Sequence, residues 1–389
     1  MRVGIALFFM NYTDWARFEA LERGESVPSM AVGDSQVWRE QLAIAELVEP
    51  LGFDSLWTFE HHAAPYVLLP TPQQQLAFYA GRTRRIDLGT MVTVLPWHDP
   101  VRLAENIAVL QHQLGPGRRF ILGIGRGLAR REFKAMRIDM EESRERFNEA
   151  LEILRLAHTD ELFSYHGRHF SYDNVSIRPR PLDPSAVIDA YAVWTSEASK
   201  RNAAQLGLHP LTTPTQRLED FKRDLEDFDA IRAENGFGPA KPPILQMPVY
   251  CCESDREADE GAERYFAEYT DAVIRHYELG GEHFATTKGY DSYAPGAGAS
   301  GGHSPMSGDR AETHAKLTAL FHNNAIAGSP ETCLEKLIAA RELMDPGEVV
   351  LVPSIGSMSG PEIERNLRLF AEKVLPRLAD IRSSAEVAL

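Results

Sequence analysis

Two hydrophobic rhythms alternate along the chain. Short, continuous apolar runs recur at 3–8, just before residue 59, and at 86–94, 120–124, 187–193, 209–213, 244–252 and 349–353. Runs of this length that do not alternate with polar residues predict strands buried on both faces. Between them, apolar residues recur at helical spacing, as Trp38, Leu42, Ala45 and Val48 do within 36–51. The same reasoning predicts helices over 71–83, 100–114, 141–157, 196–206, 216–234, 255–279, 329–343 and 361–378. Asp99 reads as an N-cap with Pro100 in the first turn behind it. Eight strands, each followed by a helix, imply parallel pairing and an α/β fold: a (β/α)8 TIM barrel with insertions, one domain over 1–389. Residues 162–179 read as a hairpin excursion around Gly167. The connection 11–35, with Tyr12, Trp15 and Phe18, is long enough to expect a functional loop. The stretch 280–308 is rich in Gly, Ser, Ala and Pro and reads as a mobile insertion.

Charge and cysteine usage narrow the picture. A net charge of −15 and a pI of about 5.4 argue against nucleic-acid or anionic-membrane partners. No run of about 18 apolar residues exists to predict a membrane span. The start, Met1-Arg2-Val3-Gly4-Ile5, reads as a first strand and not as a signal peptide. Cys251, Cys252 and Cys333 show no metal spacing, and adjacent cysteines rarely bridge, so a reducing cytoplasm is expected.

Polar groups cluster where the strands end, and in a barrel these ends share one face. The second strand runs into Glu60-His61-His62, the third into Leu95-Pro96-Trp97-His98-Asp99-Pro100, and the fourth into Gly125-Arg126-Gly127. An imidazole there suits proton transfer. Alternation along a strand would send one histidine to the barrel mouth and its neighbour to the helix layer. Two hydrogen-bonded structural histidines fit the same pattern. A zinc site lacks partner carboxylates or histidines at other strand ends, so no metal is expected. The glycines around Arg126 let backbone approach a ligand, and arginine can hold a phosphate with two donors. A tight turn with an exposed arginine reads equally well. Gly-x-Gly here lacks the third glycine of a dinucleotide fingerprint. Arg144 can join Arg126 or pair with Glu141 or Glu145, and spacing favours the pairing. Ser196 and Ser199 open a helix, where hydroxyls and free N–H groups serve equally as a cap and an anion site. Tyr66 and Trp97 lie beyond strand ends and suit either a pocket wall or plain packing. Together with the segment 12–18 they suggest an apolar substrate.

In these residues the chain resembles the bacterial luciferase-like flavin monooxygenases. The resemblance is carried by Gly52-Phe53-Asp54-Ser55-Leu56-Trp57 with Glu60-His61-His62, and by Leu88-Gly89-Thr90 leading to Val94-Leu95-Pro96 and Pro100-Val101-Arg102. It continues through 120–127 with Phe133, then Asp139-Met140, Ser143-Arg144, 196–199, Ala203-Ala204-Gln205 and Gly207-Leu208, and returns at Gly328-Ser329-Pro330-Glu331. It covers most of 1–215 and returns over 328–375. It implies a two-component FMN-dependent TIM-barrel monooxygenase of the luciferase alpha-subunit type. Reduced FMN, supplied by a separate flavin reductase, would react with O2 to give a C4a-peroxide that oxygenates a hydrophobic aldehyde, ketone or terpene-like molecule. By the same resemblance His61 is catalytic, Arg126, Arg144, Ser196 and Ser199 hold the phosphate, and a cis peptide under the flavin falls at Met91-Val92. The stretch 280–308 corresponds to a mobile active-site loop, and a homodimer is expected. Gly125 departs from the family pattern: luciferase has a reactive cysteine there, which points to a different substrate and no light emission. A deazaflavin-dependent hydride-transfer enzyme and a non-enzymatic flavin-binding protein are the alternatives on this fold.

Overall fold

The computed structural model describes residues 1–294, 297 and 309–378. Eleven strands are present among them: β1 (Val3–Ala6), β2 (Ser55–Thr58), β3 (Asp87–Val94), β4 (Phe120–Gly125), β5 (Phe163–His166), β6 (Ser171–Val175), β7 (Tyr191–Val193), β8 (His209–Leu211), β9 (Ile244–Cys251), β10 (Ile326–Gly328) and β11 (Glu348–Val352). Eight of them close a parallel ring in the order β1-β2-β3-β4-β7-β8-β9-β11. The ring closes where Leu211 pairs with Ile244 and Val3 pairs with Val349. This is the (β/α)8 barrel that the alternating rhythms imply. β5 and β6 form the antiparallel hairpin, and β10 extends the sheet from β9 outside the ring.

The barrel interior is filled by side chains and is not a pore. Trp57 is fully buried, and a Cβ on Gly89 would lie 2.3 Å from its indole. Glycine there makes room for the largest side chain in the layer. The helix Pro100–Leu114 starts as predicted, with the Asp99 carboxylate accepting from the Arg102 N–H.

Four segments differ from expectation. Residues 11–35 hold a helix, Trp15–Glu22, whose Trp15 is buried and stacked edge-on against Phe18. That segment lies outside the main cavity, so its aromatics do not speak for a substrate. The expected strand at 187–193 begins with a helical turn, Ser185–Ile188, started by Asp183 accepting from the Ser185 N–H. Only Tyr191–Val193 pairs. Helix Arg310–Asn324 and β10 fill a region in which no element was read. In the stretch 280–308 the described residues pack: a helical turn spans His283–Thr286, and Phe284, Tyr290 and Tyr293 are buried. Three aromatics supply the apolar surface that its glycine-rich composition obscures. Residues 295, 296 and 298–308 lie outside the described set.

Candidate active site

The strand C-termini open into a cavity holding about 1100 Å³ of empty space, part of it open to solvent. Its lining includes His61, Tyr66, Met91, Val92, Trp97, Gly125, Arg126 and Ser199. These are eight of the ten residues singled out in the sequence. Arg144 and Ser196 stand directly behind them. The Met91-Val92 peptide is cis. A Cβ on Gly125 would lie 2.6 Å from Val92 Cγ2, so the glycine keeps open the face beside that peptide.

One rim of the cavity is built for an anion. Ser196 caps helix Glu197–Gln205, its Oγ accepting from the Ser199 N–H and donating to Ser199 Oγ at 3.0 Å. Arg144 donates to the same Ser199 Oγ at 3.1 Å. Glu145, its expected competitor, is taken by Arg168 and His169, and Glu141 accepts from the Lys288 N–H. The pairing that spacing favoured for Arg144 is therefore not made. Burial first, and then the charge of Arg126, push the Arg144 pKa down to about 10. Arg126 stacks 3.9 Å over the Tyr290 ring and donates to the Gly289 carbonyl at 2.9 Å. Among the described residues neither guanidinium has a carboxylate partner. Two cations facing a helix N-terminus without a counter-ion suit a phosphate.

The neighbouring histidines part company. His61 lines the cavity. Its Nδ1 lies 3.1 Å from Glu132 Oε1, which also accepts from the His62 N–H at 2.7 Å. An ionised carboxylate only accepts, so His61 Nδ1 carries the proton and Nε2 is left as the acceptor. The Tyr277 hydroxyl stands 3.4 Å from that Nε2. His276 Nε2 is 3.2 Å from the same Glu132 oxygen, and its ring stacks 4.4 Å from Tyr66. Burial would raise the Glu132 carboxyl, but the two imidazoles outweigh it and hold the pKa well below the usual carboxylate range. The His62 ring turns away from the cavity to Glu60, which also takes His98 at 2.8 Å and the Val94 N–H at 2.7 Å. The split that strand alternation suggested exists, although both histidines lie beyond the last residue of β2.

Sequence reasoning missed Glu132, His276, Tyr277, Tyr269, Phe321 and Gln246. Glu132 sits on helix Arg130–Met136, and His276 near the end of helix Asp255–Tyr277. They supply the carboxylate and second imidazole that seemed to be missing around His61. The ligand atoms of His61, Glu132 and His276 lie within 4.8 Å of one another; the 3.1 Å approach of His61 is a hydrogen bond, while His276 Nε2, 3.2 Å from the carboxylate, has no hydrogen-bond partner among the described residues. Tyr66 and Trp97 do line the cavity. Cys251, Cys252 and Cys333 are buried and free. No helix among the described residues is long and apolar enough to cross a membrane.

Known proteins match this arrangement. Residues 21–345 fit the profile of the luciferase-like monooxygenases. The chain is 27% identical over 353 residues to 4-hydroxyprotoasukamycin monooxygenase of Streptomyces nodosus subsp. asukaensis, covering 88% of this chain and 86% of that one. In fold it matches the oxygenating constituent of 3,6-diketocamphane monooxygenase from Pseudomonas putida, solved with FMN. The TM-score is 0.68 and the identity 21%, covering 97% of this chain and 98% of that one. An F420-dependent secondary alcohol dehydrogenase has the same fold, with a TM-score of 0.66, 15% identity, and 97% and 99% covered. With its barrel, its charged rim and 325 residues inside the family profile, the chain belongs to the luciferase-like monooxygenase family and is a flavin-dependent monooxygenase.

Proposed function

We propose that the cofactor is FMN, used in its reduced form and delivered by a separate reductase, and that the enzyme oxygenates an apolar organic molecule. The observation that carries this reading is the uncompensated pair of guanidiniums, Arg126 and Arg144, at the Ser196–Ser199 helix start. Arg144, Ser199 and Arg126 would hold the phosphate. Val92, Gly125 and Val193 would present an apolar surface to a flat ring system. Reduced FMN, when bound, supplies the electrons that activate O2 for insertion into a substrate.

The chain's own part is orientation, proton control and exclusion of water. Glu132 fixes the His61 tautomer so that Nε2 can accept a proton at the cavity wall or return one. The stacked walls of Phe8 and Phe59, 4.0 Å apart, keep that region dry.

Titration of reduced FMN, oxidised FMN, FAD and F420 into the protein tests the reading. Reduced FMN is expected to bind most tightly. Replacing Arg144 by Met should weaken FMN about tenfold or more while leaving riboflavin unaffected. The relative that uses F420 supports the second reading, hydride transfer without oxygen. Tighter binding of F420, with no O2 uptake, would establish that reading in place of the first.

A further inference from the structure

The cavity has two chemically different ends. The anion rim is built on β4, β7 and the helices that follow them. Across the barrel, the wall comes from β1, β2, β9 and helices Asp255–Tyr277 and Arg310–Asn324. There the lining is aromatic: Phe8, Phe59, Tyr66, Tyr269 and Phe321. Phe8 stacks on Phe59 and meets Tyr269 edge-on at 5.5 Å, and Tyr269 packs 4.7 Å from Phe321. Among the described residues no lysine or arginine lines this end. The Glu60 carboxylate and Glu132 Oε1 are turned to imidazoles, and Glu132 Oε2 is buried without a partner among the described residues.

Besides Glu132 Oε2, Trp97 Nε1 and Trp194 Nε1, one more polar group of the cavity lining has no protein partner among the described residues. Gln246, on β9, is 6% exposed and lines the cavity. Its backbone N–H is taken by Thr212 Oγ1, but its carboxamide has no partner among the described residues. A carboxamide both donates and accepts, and leaving one unpaired in an apolar wall is unfavourable. It therefore points to a ligand that brings an oxygen to this spot.

We propose that the aromatic end is the substrate site, and that its substrate is a flat aromatic molecule without negative charge whose hydroxyl or carbonyl pairs with Gln246. This rests on the flavin reading for leaving the anion rim to the cofactor. Ring faces and edges in the wall favour an aromatic guest over a saturated one, by about twofold to tenfold per ring contact. An anionic guest would lose its hydration with no cation in reach at this end, beside the carboxylates of Glu60 and Glu132.

Calorimetric titration of the whole protein with matched probes tests this. They are 2-naphthol, its saturated analogue decahydro-2-naphthol, the anion 2-naphthoate, and naphthalene without the oxygen. FMN affinity is measured alongside. 2-Naphthol is expected to bind at least tenfold tighter than the saturated alcohol and the anion, with and without FMN bound. Gln246→Leu should weaken 2-naphthol about threefold to tenfold, and leave naphthalene and FMN unchanged. Equal binding of the saturated alcohol or of the anion overturns the proposal, as does absence of 2-naphthol binding. So does displacement of FMN by 2-naphthol, which would put the cofactor at this end. Should Gln246→Leu not fold, the comparison of probes on the parent protein still decides. Failure to bind any flavin, with the probe preference intact, would remove the flavin reading and leave the aromatic site standing. Flavin binding without the preference would remove the aromatic site alone.

Discussion

His61 and His62 are adjacent in the chain, yet they serve two different carboxylates, and the two clusters behave in opposite ways. Glu60 ties the segment after β2 to the segment after β3 through His62, His98 and the Val94 N–H. Burial lowers the His98 pKa, but the Glu60 charge and hydrogen bond outweigh it and leave it raised. Glu132 gathers His61 and His276 beside the cavity. There burial dominates, and with the charge of Arg131 it holds His276 down to about 4 despite Glu132. The His98 side chain keeps 22% of its surface exposed, and His276 none. The same pairing therefore raises the His98 pKa at the rim and leaves a neutral imidazole inside. The first is a clasp between loops. The second is an uncharged wall that orients His61.

The largest expected break in this comparison is at His61. His61→Ala should reduce product formation by about 10²- to 10⁴-fold while leaving FMN affinity unchanged. Oxygen uptake would then end as hydrogen peroxide. His62→Ala should affect turnover less and thermal stability more. Normal product yield from the His61 variant would strip it of its role. Next is the clasp: Glu60→Gln should destabilise the fold by about 3–5 kcal/mol, read as a lower denaturation midpoint, because the buried carboxylate shared by His62, His98 and the Val94 N–H becomes a neutral amide. Glu132→Gln is expected to lower turnover by about ten- to a hundredfold through misplacement of His61, and to shift the pH–rate profile. A larger turnover loss in Glu60→Gln than in Glu132→Gln would collapse the distinction between the two clusters.

A separate effect is on stability against acid. Burial first, with nearby arginine charges, holds His158 and His209 down to about 4, alongside His276. Below pH 6.5 the unfolded chain takes up protons at these sites and the native protein does not. Stability should therefore fall as pH drops from 6.5 towards 4, by at most about 1.4 kcal/mol per histidine per pH unit. The lowered carboxylates Glu60 and Glu132 enter only below about pH 4.5. Urea unfolding at pH 7, 6 and 5 measures the slope. A flat profile would mean that these imidazoles are not buried neutral.

All eight ring strands were legible in the sequence, because strands buried on both faces leave continuous apolar runs. β10 was not, since three residues at a sheet edge carry no periodicity. Trp15–Glu22 escaped because its acidic and basic residues mask a single buried tryptophan. At the site, the contiguous pieces were readable: Glu60-His61-His62, Arg126 and Ser196 to Ser199. What could not be read comes from far along the chain. Glu132 is 71 residues from His61, and Tyr277 is 216. Gln246 hides inside an apolar run, where one amide looks like an interruption of the core. Arg144 shows the limit of local spacing: its acidic neighbours lie within reach, but Arg168 and His169 engage Glu145 and the Lys288 N–H engages Glu141.

Arg126 is already in use before any phosphate arrives. It grips the Gly289 carbonyl and the Tyr290 ring, while the Tyr290 hydroxyl donates to the Gly127 carbonyl and Tyr293 meets Thr195. One side chain thus belongs to the charged rim and to the strap 288–293 lying over it. Two equilibria that share a member cannot be independent. If an anion on Arg126 adds to this grip, it must tighten the strap, and loosening the strap must weaken the anion by the same factor. Protection of residues 283–294 from protease would then serve as a gauge of how full the rim is, readable without turning the enzyme over.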